Sequence, residues 1–152
     1  MLFRSPERPI SEHPNYVTPT GLAQLEAQVE ALSAKHSTLS PQKEDPIISQ
    51  QLAVIERDLR YFEARLEQAI LVEAGQDDPA SVVFGTSVMV EDEEGNQHTF
   101  QIVGEDEADV NANKVSYVSP LAKALIGHRA GETVKWMRPA GNVLLDIISI
   151  TY

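Results

Sequence analysis

No cysteine occurs anywhere in the 152 residues, so neither a disulfide nor a thiolate zinc site can hold this fold together. Nor is there an apolar run of about 18 residues, and the first residues lack the apolar core of a signal peptide. These absences lead to the expectation of a cytoplasmic chain that makes no use of a membrane. Basic residues are scarce as well: 12 Lys and Arg stand against 23 Asp and Glu, for a formal net charge of -11. Binding duplex DNA through its phosphates draws its free energy from Lys and Arg, so direct duplex binding is not expected. Basic protein surfaces are the more natural partners. The acidity is uneven, with 5 basic and 12 acidic residues in 74–152 against 5 and 9 in 18–73.

What the chain does have is a pair of long apolar stripes. Leu22, Leu25, Val29, Leu32, His36 and Leu39 follow one another at steps of three and four, and so do Ile48, Leu52, Ile55, Leu59, Phe62, Leu66 and Ala69. That alternation is the seam of a coiled coil. Neither stripe is wide enough to bury a helix by itself. The nearest partner for each lies across a connector of about eight residues, Ser40 to Ile47, and a short connector forces antiparallel neighbours. Each arm has roughly 20 to 25 residues and is on the order of 30 Å long. The apex, with Lys43, Glu44 and Asp45, is therefore expected to project.

Thr18-Pro19 makes a good helix start, whereas Gly21 in the first turn weakens a helix and implies a close neighbour. His36 reads as a packed or partly solvated side chain, because no second His or Cys sits at ligand spacing. Asp45 before Pro46 fits a cap for the second helix. Glu44 and Asp45 together could also offer carboxylate oxygens to a divalent cation, but two carboxylates do not complete a site. Arg57, Arg60, Tyr61 and Arg65 could make a basic and aromatic stripe, although a solvated helix face accounts for them as well.

The character of the sequence changes near residue 74. Residues 1–17, with three prolines, read as an irregular extension, 18–73 as the helical finger, 74–81 as a polar linker and 82–152 as a second domain. Strands are expected over Val82–Glu91, His98–Val103, Lys114–Val118, Thr133–Met137 and Asn142–Thr151, with a short helix from Pro120 that Ser119 caps and Gly127 ends. Five strands in mainly hairpin order with one helix on one face give an α+β domain built on an antiparallel sheet.

Several stretches resemble one family closely. Val83-Phe84-Gly85, Ile102-Val103-Gly104-Glu105-Asp106-Glu107-Ala108-Asp109, Ser116-Tyr117-Val118-Ser119-Pro120-Leu121 through Gly127, Gly131-Glu132-Thr133-Val134, and Thr18-x-x-Gly21-x-x-x-Leu25 are similar to the signature of the Gre transcript-cleavage factors of bacterial RNA polymerase. The resemblance covers about residues 16 to 152. It implies an N-terminal antiparallel coiled coil and an FKBP-like C-terminal domain. It further implies docking of that domain at the rim of the polymerase secondary channel, with the finger inserted toward the active centre. Asp106, Glu107, Ser119, Pro120 and Leu121 then become the polymerase-binding candidates. In the family, acids at the fingertip help to hold a catalytic Mg²⁺ during hydrolysis of backtracked RNA.

At the tip the sequence departs from that pattern. The family's Asp and Glu fall on Thr38-Leu39-Ser40-Pro41-Gln42, with Thr38 and Pro41 in place of the acids, and the finger is shorter by about two turns per arm, close to 10 Å. Glu44 and Asp45 are the apex acids that remain. His128 stands where the family usually carries Lys or Arg. The expectation is a monomeric secondary-channel regulator with no self-contained active site and no cofactor of its own, Mg²⁺ entering only with the polymerase, which binds without stimulating cleavage. The alternatives are a true cleavage factor using Glu44 and Asp45, a peptidyl-prolyl isomerase suggested only by the FKBP-like fold, and a finger that serves as a dimerisation arm. Isomerisation needs an aromatic-lined pocket, for which the second half offers only Phe84, Phe100, Tyr117, Trp136 and Tyr152.

Overall fold

The computed structural model describes residues 6–152. The fold is mixed α+β, and the chain divides into two compact units. Of the described residues, one takes 6–15 together with Leu22–Ile70, and the other takes Tyr16–Gly21 together with Leu71–Tyr152.

The first unit is helical. Helix α1 spans Pro19–Leu39 and α2 spans Pro46–Gln68, joined through a 3-10 turn at Ser40–Gln42. The connector is thus six residues, 40–45, because α1 runs to the last seam leucine before Pro41. From Leu22 onward every seam position of α1 is buried or half-buried, and every other residue of that helix is exposed. In α2 the seam residues Leu52 and Ile55 are buried, and His36 on α1 meets Glu56 on α2 at 3.0 Å.

The expected basic stripe on α2 is neither free nor fully solvated, because residues 6–15 lie against it without regular structure of their own. The Arg8 guanidinium sits 3.9 Å from the centre of the Tyr61 ring and 3.4 Å from Asp58. Arg60 pairs with Glu7 at 2.6 Å, and that partner holds the Arg60 guanidinium above its usual range. Arg65 is buried. It donates to the Asn15 side-chain oxygen at 2.7 Å, while the Asn15 amide donates to the Arg65 carbonyl at 2.6 Å. A buried guanidinium needs hydrogen-bond acceptors around it, and the Asn15 side-chain oxygen is one.

In the second unit, β1 (Tyr16–Val17) belongs to a two-stranded ribbon with β2 (Ile70–Leu71), so the irregular N-terminal segment stops before Tyr16. A five-stranded sheet follows in the order β5-β4-β3-β7-β6, made of β3 (Ser87–Glu91), β4 (Gln97–Val103), β5 (Lys114–Ser116), β6 (Thr133–Trp136) and β7 (Val143–Thr151). All neighbours are antiparallel except β4 and β5, which run parallel. The antiparallel sheet expected from the sequence is therefore corrected at one edge. The strand expected from Val82 begins only at Ser87, since Gly85 takes φ +89 and Val82 exchanges both backbone bonds with the 127–128 turn at 2.8 Å.

The core of this unit gathers Val88, Val90, Ile102, Val134, Leu145, Ile147 and Ile150 under helix α3 (Pro120–Leu125). Inward residues of β7 run 145, 147 and then 150 because a bulge between Met89 and Val90 pairs leaves Ile148 unopposed. One extra residue reverses the phase of a two-residue alternation.

Candidate functional site

The apex acids lie where the sequence puts them, exposed at the turn between α1 and α2. Their roles differ. Asp45 takes an extended backbone (φ -72, ψ 124), and its side chain accepts the Ile47 N–H at 2.9 Å, capping α2 with Pro46 at the first helical position. One of its oxygens is therefore committed to the helix, and Glu44 is the neighbouring carboxylate. No group of three or more His, Cys, Asp or Glu able to hold a metal ion occurs among the described residues. A divalent cation such as Mg²⁺ or Ca²⁺ takes six or more oxygen ligands, of which these two carboxylates could supply only a part.

The candidates of the second unit separate into two groups. Ser119, Pro120 and Leu121 line an apolar groove of about 550 Å³ together with Phe100, Val115 and Trp136. Ser119 is held in place as the cap of α3, accepting the Ala122 N–H at 3.3 Å. Pro120 is exposed, and Leu121 is buried in the core with only one side open to the groove. The same groove is lined by Val110 and Met137, which are 88% and 67% exposed. Sequence reasoning missed both. The signal was an apolar residue inside an otherwise polar loop, in Asp109-Val110-Asn111 and in Trp136-Met137-Arg138.

Glu107 is not on that surface, which corrects its place among the docking candidates. Its side chain is 2% exposed and meets Lys114 Nζ at 3.3 Å, and it accepts a 2.5 Å hydrogen bond from the Thr18 hydroxyl. The same hydroxyl accepts the Gly21 N–H at 3.0 Å, so Glu107 anchors the first turn of α1. Asp106 is exposed but does not line the groove.

Most of the other signature residues serve the interior in the same manner. Phe84 and Tyr117 enclose Tyr16, with ring centres 5.9 and 5.4 Å from it and 5.7 Å from each other. Gly104 faces the Tyr16 carbonyl oxygen so closely that a Cβ there would collide with it. Gly127 and Gly131 take φ +88 and +93, a backbone region that only glycine enters cheaply.

Comparison with known proteins shows the family. A family profile described as "Transcription elongation factor, GreA/GreB, C-term" matches residues 76–152. The "Transcription elongation factor GreA" of Pelobacter propionicus is 37% identical over 123 residues, covering 80% of this chain and 78% of its own. The chain belongs to the GreA/GreB family of transcription elongation factors. The GreA of Neisseria meningitidis serogroup A is 38% identical over 130 residues, covering 84% of this chain and 81% of its own. Among solved structures, the GreA factor homolog 1 (Gfh1) of Thermus thermophilus is 24% identical with a TM-score of 0.44, covering 92% of this chain and all of its own. For this GreA/GreB-family member, no helix among the described residues is long and apolar enough to cross a membrane.

Proposed function

We propose that this GreA/GreB-family chain binds bacterial RNA polymerase in the cytoplasm as a monomer and enters its secondary channel as a regulator of elongation that does not stimulate transcript cleavage. In this reading α1 and α2 form an antiparallel coiled-coil finger. The sheet unit is the FKBP-like domain, which docks at the channel rim through Asp106, Ser119, Pro120 and the groove floored by Leu121. The chain is not an enzyme in its own right.

The observation that carries the non-cleaving reading is the apex. Of the two acids there, Asp45 spends an oxygen on the Ile47 N–H, and Thr38 and Pro41 stand where the family has its paired acids. The exposure of Glu44 and Asp45 favours the second reading, a cleavage factor in which both carboxylates serve the polymerase. RNA cleavage in backtracked polymerase complexes separates the two when the native chain is compared with Glu44→Ala and Asp45→Asn. The asparagine keeps the helix cap while removing the charge. Binding without stimulated cleavage is the expected result. Stimulation that either substitution abolishes would replace it with the cleavage reading, and failure to bind polymerase would overturn both.

A further inference from the structure

Adjoining the apolar groove, and sharing Phe100, Trp136 and Arg138 with it, the sheet unit holds a second cup of about 500 Å³. Its floor is Phe100, Trp136, Val143 and Leu145, and its rim carries Asp92, Glu93 and Glu94 from the β3-β4 turn. Two of these carboxylates are held in place. Asp92 accepts the Glu94 and Asn96 N–H groups at 3.0 and 2.9 Å and meets His98 at 3.1 Å. Glu93 accepts the Leu144 N–H at 3.1 Å. Among the lining residues Arg138 is the sole Lys or Arg, and its guanidinium lies 5.1 Å from the centre of the Trp136 ring. That guanidinium is tethered by a single 3.2 Å bond to the Gly141 carbonyl in an exposed loop. An aromatic floor under a carboxylate rim attracts cations by ring quadrupole and charge together. An anion would meet three carboxylates, and the chain as a whole carries a net charge of -11.

From this geometry we infer that the cup receives a lysine or arginine side chain from a basic segment of a partner protein, in the place that Arg138 holds over Trp136. Arg138 is then the chain's own placeholder, displaced when the guest arrives. The site shares Phe100, Trp136 and Arg138 with the apolar groove, but its test uses a peptide and no polymerase, so it stands or falls independently of the polymerase reading.

Trp136 is the only tryptophan of the chain, so its fluorescence reports on the cup directly. The full chain is titrated at low salt with a short peptide alternating Arg and Ala, and in parallel with its Glu-Ala counterpart. A saturable change with the Arg peptide and none with the Glu peptide is expected. Glu93→Gln with Glu94→Gln, which keeps an acceptor for Leu144, should weaken binding by about fivefold or more. Arg138→Ala should tighten it by removing both a competitor and a like charge. The pair Glu26→Gln with Glu30→Gln on α1 removes the same charge elsewhere and should leave affinity nearly unchanged. The inference fails if no saturable change occurs, if the α1 pair weakens binding as much as the rim pair, or if Arg138→Ala weakens it.

Discussion

Gly21 sets one atom against a whole helix preference. Alanine is the better helix former by about 1 kcal/mol, yet a Cβ at this position would come within 2.7 Å of Glu107 Oε1. Relieving that clash disturbs the buried Thr18 hydrogen bond to a carboxylate, and such bonds contribute about 1.5–3 kcal/mol. Gly21→Ala should therefore destabilise the protein by roughly 1–2 kcal/mol, read as a lower denaturant midpoint; an unchanged or raised midpoint would show that the contact yields freely. Asp92 gives a prediction in pH. The His98 ring, and after it the Asn96 N–H, hold its carboxyl below the usual 3.8. A carboxyl lowered in the folded state adds stability above its unfolded value, and that stability is lost as pH falls through the folded one. Acid unfolding followed by circular dichroism should thus be steeper below about pH 4 for the native chain than for Asp92→Asn. At neutral pH the variant should be the less stable of the two.

Helix α2 begins at a residue that carries both a structural and a candidate chemical role. Removing the cap with Asp45→Ala should cost about 1 kcal/mol and Asp45→Asn only a few tenths, measured by thermal unfolding. A difference between these variants in any cleavage assay then belongs to helix stability, and a shared effect belongs to charge. The same element shows how far periodicity reaches. Steps of three and four identified every residue of α1 from Leu22 onward that leaves solvent, because one repeated spacing suffices to mark a helix face. The sequence placed Arg65 on an outer stripe or solvated face of α2, whereas it lies between seam positions and is buried. Its partner Asn15 sits 50 residues away, a separation that no local pattern encodes. The β7 bulge was hidden for a related reason, since it is a property of two strands paired together.

Across the molecule, the residues that made the family legible are mainly those that hold the fold. Gly21, Phe84, Gly104, Glu107 and Tyr117 bind one part of the second unit to another, so their signature could be read without revealing which surface meets a partner. The groove lining at Val110 and Met137 carries no such signature. Placing a charge there, as Val110→Asp or Met137→Asp, should abolish retention of the chain on immobilised polymerase while leaving its melting temperature within a few degrees. Full retention would move the docking face elsewhere. Glu107→Ala should behave in the opposite way, lowering stability while binding persists at temperatures where the protein is folded. The Thr18 to Glu107 bond also bears on how the chain is made. Its partners are 89 residues apart, and a ribosome adds roughly 5–20 residues per second. The nascent start of α1 therefore waits roughly 4 to 18 s for its acceptor to be synthesised.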